Sequence, residues 1–203
     1  MRTPWVVGVS GASGTPYAAA VLRGLLAAGE AVDLVVSRAA RLTLLDETGV
    51  TWHDDAASLQ QWVGVEGDVT FWGPADLAAG PASGSYRTKG MIVVPASTAA
   101  VAGIAIGLSK DLLLRAADVT LKERRPLVVV PRETPLGRST LEHLLGLHDA
   151  GAVVLPASPG FYGGARDVQQ LVDFVAAKIL DVAGVEHDLL LRWTGELGAA
   201  RQT

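Results

Sequence analysis

Apolar residues along the chain follow two different periods. Short valine-rich runs stand at 5–10 (WVVGVS), 31–37 (AVDLVVS), 69–73 (VTFWG), 90–97 (GMIVVPAS), 126–132 (PLVVVPR) and 152–158 (AVVLPAS). Runs of this length and composition read as strands. Between them lie longer stretches with helical spacing, at about 15–28, 38–48, 98–107, 110–124, 138–149 and 167–183. In the last of these, Val168, Leu171, Val172, Val175, Ile179 and Val182 share one broad face. Strands that alternate with helices predict an α/β fold: a doubly wound parallel sheet with helices over it. No composition break marks a boundary, so residues 1–203 read as one domain.

Three strands carry the same ending, in IVVP, VVVP and VVLP. A continuous apolar run suits a strand buried on both faces. A proline has no N–H to give, so Pro95, Pro131 and Pro156 are expected to end the ladder. They then mark the carboxyl edge of the sheet, outside which ligands of open α/β sheets bind. Residues 49–89 are the least regular part, and GPADLAAGPASGSYRTKG (73–90) reads as a long functional loop.

Composition narrows the choice. Of 203 residues, 49% are apolar and 19% charged, which excludes a disordered chain. The net charge of −4 argues against nucleic-acid binding, although it leaves room for a local basic pocket. With no cysteine, thiol catalysis, disulfides and cysteine–metal sites are excluded, which fits a reducing cytoplasm. The four histidines, at 53, 143, 148 and 187, match no metal spacing. The N-terminus reads as a first strand rather than a signal peptide. No apolar run is long enough to span a membrane.

The candidate chemistry lies at the strand ends. Gly8, Gly11 and Gly14 open the first helix in the spacing G-x-x-G-x-x-G, which is neither a dinucleotide fingerprint nor a P-loop. The second strand ends in Ser37, where an NAD binder carries an acid. What remains is a backbone-rich turn, with Ser10, Ser13 and Thr15 as hydroxyl donors, suited to a phosphate or the edge of a ring. Ser97 and Thr98 begin the helix after the fourth strand, either as a cap or as a second cradle. Arg132 and Glu133 follow the fifth strand, and as a pair they would bind an anion and move a proton. Lys122, Arg124 and Arg125 close a helix, where the macrodipole favours cations. Tyr162 stands in a glycine-rich loop, and Lys178 on the helix that follows.

These segments resemble one family, the flavin prenyltransferases (the UbiX family). The likeness runs from about residue 5 to residue 193. It is carried by GVSGASGTPYAAAVL, VVSRAARLTLLDET, PASGS, MIVVPAS, LLRAADVTLKERRPLVVVPRETPL, GAVVLPASPGFY and LVDFVAAKILDVAGVEHDLLLRW. It implies a three-layer, flavodoxin-like, Rossmann-type fold and a metal-independent reaction. In that reaction the dimethylallyl group of dimethylallyl phosphate joins N5 and then C6 of reduced FMN, and the prenylated FMN is passed to a UbiD-type decarboxylase. By carry-over, Gly11, Ala12, Ser13, Ser37, Ser97, Thr98, Ala99, Ala100 and Arg132 are FMN contacts. Tyr162, Lys178, Lys122, Arg115 and Trp193 surround the prenyl donor, with Glu133, Lys122, Ser13 and Glu47 in catalytic positions. The resemblance also implies a homo-oligomer, a dodecamer, whose neighbouring subunits share active sites.

Two positions depart from the family's usual pattern. Ala96 stands where a cysteine is common, and Leu77 where a tryptophan walls the prenyl site. Two other readings stay open at this stage. An FMN-dependent cysteine decarboxylase shares the fold but uses a histidine and an asparagine-containing motif, and the turn here reads ASTAAVAG. A non-catalytic flavin carrier would not need the second set of cations.

Overall fold

The computed structural model describes residues 2–161 and 165–190. Among these residues six parallel strands form one sheet: β1 (Trp5–Val9), β2 (Val32–Val36), β3 (Val69–Trp72), β4 (Gly90–Ala96), β5 (Leu127–Pro131) and β6 (Val153–Val154). Their order is β3-β2-β1-β4-β5-β6, so the direction of winding reverses between β1 and β4. That is the Rossmann order, and the reversal opens a crevice at the carboxyl ends of these two strands.

Among the described residues, seven α-helices cover the sheet: α1 (Thr15–Ala27), α2 (Arg38–Thr48), α3 (Ala56–Val63), α4 (Thr98–Ala105), α5 (Leu112–Lys122), α6 (Arg138–Asp149) and α7 (Val168–Ala183). Strand alternation divides the core in two. Val7, Val9, Leu34, Val36, Ile92, Val94, Val128 and Val130 pack with α1, α2, α3 and α7. Val6, Val35, Met91, Val93, Leu127 and Val129 pack with α4, α5 and α6 on the opposite face. Helix, sheet and helix layers result, as expected for an α/β doubly wound fold.

Three differences from the expected elements have local causes. Helix α3 falls within the stretch read as irregular. It is short, but Asp55 caps it by accepting from the Ser58 N–H, Gly64 ends it at φ 80°, and Leu59, Trp62 and Val63 turn inward. Strand β6 has two residues rather than seven. The chain still runs along β5 through Leu155 N–H to Val129 and Ala157 N–H to Pro131, but Pro156 between them has nothing to donate. Pro95 does not end its strand. β4 continues to Ala96, which pairs with Pro131 after a register shift that begins at Val93.

Candidate functional site

A cavity of about 450 Å³ opens at the crevice between β1 and β4. Ser10 and Gly11 form its floor, at the end of β1. One wall is the first turn of α2, with Ser37, Arg38 and Ala39, and another is the first turn of α4, with Ser97, Ala99 and Ala100. Pro74 and Ala75, from the long loop, meet Lys110, Asp111, Leu113 and Leu114 at the start of α5 to complete it. Leu112 N–H donates to the Pro74 carbonyl at 2.9 Å and ties those two sides together.

Each wall is fixed by a cap. The Ser37 hydroxyl accepts from Ala40 N–H (3.1 Å), the Ser97 hydroxyl from Ala100 N–H (3.2 Å), and the Asp111 carboxylate from Leu114 N–H (3.0 Å). Capping and facing the cavity are compatible roles. The earlier N–H groups of each helix have no intrahelical acceptor. Those of α2 and α4 begin at the cavity, with the cations Arg38 and Lys110 on its rim.

The first helix is different. Gly14 caps α1 at φ 117° with no side chain of its own to offer. The carboxylate of Glu47, from the end of α2, fills the place. It accepts from Gly14 N–H (2.9 Å), Thr15 N–H (2.8 Å) and the Thr15 hydroxyl (2.6 Å). Burial works against its charge more than any other single influence does. The hydrogen bonds from Thr15, Ser13 and the backbone of Gly14 and Thr15 together outweigh it, and the pKa is held below the ordinary carboxylate value. A carboxylate of the chain itself thus occupies this helix end.

The hydroxyls of the turn are also partly committed. Ser10 donates to the Pro95 carbonyl (2.8 Å) and accepts from Ser97 N–H (2.7 Å), while Thr15 is bound to Glu47. Ser13 remains exposed. Gly11 is needed for a reason other than ligand space. A Cβ there would overlap the methyl group of Ala39, so the missing side chain lets α2 approach the turn.

Arg132 and Glu133 do not pair with each other. The Arg132 Nε donates to the Ser13 carbonyl at 3.0 Å, and the exposed Glu133 carboxylate accepts from Thr134 N–H at 2.9 Å. Successive side chains leave an extended strand end on opposite sides, which separates the two groups. Of the residues expected at FMN, Gly11, Ser37, Ser97, Ala99 and Ala100 line the cavity. Ala12, Ser13, Thr98 and Arg132 lie beside it, outside its lining.

The cations expected at the prenyl donor fall in separate places. Arg115 donates to the Ala82 carbonyl (3.1 Å) and pairs with Asp118 (2.8 Å). Lys122 pairs with Glu123 (2.6 Å) beside Gly84, at the end of α5 away from the cavity. At about 1.5 Å per helical residue, Lys122 is more than about 10 Å from the part of α5 that lines the cavity. Lys178 is exposed on α7, across the sheet from α5, with Asp181 at 3.6 Å. Tyr162 and Trp193 lie outside the described residues. Leu77 is 50% exposed and not part of the cavity lining.

Arg38, Lys110 and Asp111 were not singled out from the sequence. An acidic residue just before LLLRAAD is a cap signal, and a helix beginning at the carboxyl edge would have pointed to the site.

Comparison with known proteins agrees with this geometry. A family model described as Flavoprotein matches residues 1–180. A curated relative from Streptomyces coelicolor, flavin prenyltransferase UbiX, is 64% identical over 98% of this chain and 99% of its own. A crystal structure of AnUbiX (PadA1) in complex with FMN and dimethylallyl pyrophosphate superposes with a TM-score of 0.87 at 37% identity, covering 97% of this chain and all of that one. A dodecameric FMN-dependent UbiX-like decarboxylase from Escherichia coli O157:H7 gives 0.85 at 40% identity, over 95% of this chain and all of the other.

Proposed function

The chain belongs to the flavoprotein family and within it to the flavin prenyltransferases, and from that premise we propose that it joins the dimethylallyl group of dimethylallyl phosphate to N5 and C6 of reduced FMN. The observation that carries this reading is the cavity at the β1–β4 crevice, bounded by the first turns of α2 and α4. Its size and donors fit FMN. The open N–H groups of those turns, with Arg38 and Lys110 nearby, suit a phosphate, and the Gly11–Ser13 turn suits the ring. Ala12, Thr98 and Arg132 support those contacts from behind or beside them.

FMN acts as substrate and supplies the nucleophilic atoms; the chain's own groups do the rest. Arg115, Lys122, Tyr162 and Lys178 stabilise the phosphate that departs from the allylic carbon. Trp193 and the apolar walls keep water from the developing cation. Glu133 shares a proton with the phosphate that departs as the allylic carbon bonds to N5, and that phosphate accepts the proton released when the ring closes at C6. Ser13 and Glu47 act at the N5 side. We read residues 1–203 as a single domain that does this work.

In one chain Arg115 and Lys122 lie on α5 and Lys178 on α7, with the sheet between them. A donor site that uses all three therefore needs more than one copy. This supports a homo-oligomer with shared sites, and a dodecamer is the assembly we propose. No helix among the described residues is long and apolar enough to cross a membrane, and we place the enzyme in the cytoplasm, supplying prenylated FMN to a UbiD-type decarboxylase. A cysteine decarboxylase is the weaker reading, because no histidine lines the cavity.

Reconstitution tests the reading. The deproteinised product of an anaerobic reaction with reduced FMN and dimethylallyl phosphate is added to an apo UbiD-type decarboxylase. Decarboxylase activity that depends on this chain and on the donor supports the proposal; activity no higher than with FMN alone contradicts it.

A further inference from the structure

The carboxyl ends of β1 and β4 are joined by a side chain beyond the last paired residues of their ladder. Their last paired residues are Gly8 and Val93. Two residues further on, Pro95 has no N–H to offer. Ser10 makes the join. Its hydroxyl donates to the Pro95 carbonyl at 2.8 Å and accepts from Ser97 N–H at 2.7 Å, and its own N–H reaches the same carbonyl at 3.2 Å. Ser10 is 4% exposed and lines the cavity floor. Ser97 next to this clasp is the cap of α4. One hydroxyl thus sets where the first turn of α4 stands relative to the β1–α1 turn. The adjoining Gly11 sets the distance to α2 through its contact with Ala39.

We propose that Ser10 is a positioning residue for flavin binding: its hydroxyl bridges the Pro95 carbonyl and the Ser97 N–H and holds the α4 wall in register with the cavity floor. The inference rests on the reading of this cavity as the FMN site. Without the hydroxyl, Ser97 N–H loses its acceptor and Pro95 keeps only the longer bond, so the α4 wall is free to shift. A buried polar group left without a partner is costly enough to change affinity about tenfold or more.

The test titrates oxidised FMN, followed by flavin fluorescence, into the unsubstituted chain, Ser10→Ala and Ser10→Thr. Thermal melting is recorded with and without FMN. In Ser10→Ala, Kd for FMN should rise about tenfold or more, and the FMN-induced gain in Tm should shrink. A purely structural role would lower Tm equally with and without FMN and leave that gain unchanged. Ser10→Thr, which keeps the hydroxyl, should bind within about threefold of the unsubstituted chain, well inside the loss expected for an unpaired group. Unchanged affinity in Ser10→Ala overturns the clasp, as does equal weakening in both variants. No binding of FMN by the unsubstituted chain overturns the flavin reading and the clasp together. If Ser10→Ala does not fold, Ser10→Cys replaces it. Its weaker hydrogen bonding should give an intermediate Kd, and an unchanged Kd overturns the proposal.

Discussion

Glu47 closes the N-terminus of α1 by holding Thr15 twice, at 2.8 Å through the backbone N–H and 2.6 Å through the hydroxyl. The two residues are 32 positions apart in sequence. This contact places a carboxylate beside the exposed Ser13, on a helix end where the macrodipole favours negative charge.

The first prediction concerns pH. The Glu47 pKa is lower in the folded chain than its ordinary value of 4.5. Its contribution to stability is therefore present above the unfolded pKa and is lost as pH falls through the folded pKa. Glu47→Gln should lower stability at pH 7 by about 1 kcal/mol or less, the scale of a charge at a helix end. The gap between the two proteins should close in acid. Melting curves from pH 7 down to about 3, below the ordinary carboxylate pKa, measure it. A gap that widens on acidification would contradict the assignment.

Gly11 gives a second prediction. A side chain there meets Ala39 in α2 before it meets any ligand. Gly11→Val should therefore destabilise the FMN-free protein by about 1–3 kcal/mol, the usual cost of overpacking, as well as weaken FMN binding. Gly11→Ala combined with Ala39→Gly should recover much of the stability lost in Gly11→Ala alone. Lost FMN affinity with an unchanged apo melting temperature would show that the side chain enters ligand space instead.

Glu133 supplies a third. Its carboxylate does not hold Arg132, which binds the Ser13 carbonyl. Glu133→Gln should leave FMN affinity nearly unchanged and slow single-turnover formation of prenylated FMN by about a hundredfold, within the range of a lost acid–base group. Normal turnover of the preformed complex would remove Glu133 from the mechanism.

Lys122 ends α5 before β5 begins and Glu133 follows the other end of that strand, and their placement leads to a fourth. If each site draws them from different copies, mixed oligomers of Lys122→Ala and Glu133→Gln contain some sites with both residues intact. Co-expression of the two weak variants should restore part of the activity. Mixed oligomers with no more activity than either variant alone would place both residues in one subunit's site.

How far the sequence reaches can be seen residue by residue. Ser37 and Ser97 were legible because a hydroxyl between a strand and a helix has a local reason to be there, the cap, and the sheet edge supplies the second reason. The continuous valine-rich runs placed β1, β2, β4 and β5 within a residue or two, because a strand buried on both faces is apolar at successive positions. Helix α3 was missed because eight residues carry too few turns to show a period against a loop rich in Asp and Gly. That Arg132 and Glu133 do not hold each other was not legible, because adjacency in sequence does not show that neighbours leave an extended chain on opposite sides. Ser10 and Glu47 act through partners more than 30 positions away, and no local pattern encodes those contacts.

The central claim is prenyl transfer to flavin, and the mass of the flavin tests it most directly. The chain is incubated anaerobically with reduced FMN and dimethylallyl phosphate, the protein is removed, and the flavin is weighed by mass spectrometry. A flavin heavier by one C5H8 unit, formed only when protein and donor are both present, is the predicted result. Recovery of FMN alone, from a protein that demonstrably binds both compounds, would contradict the account.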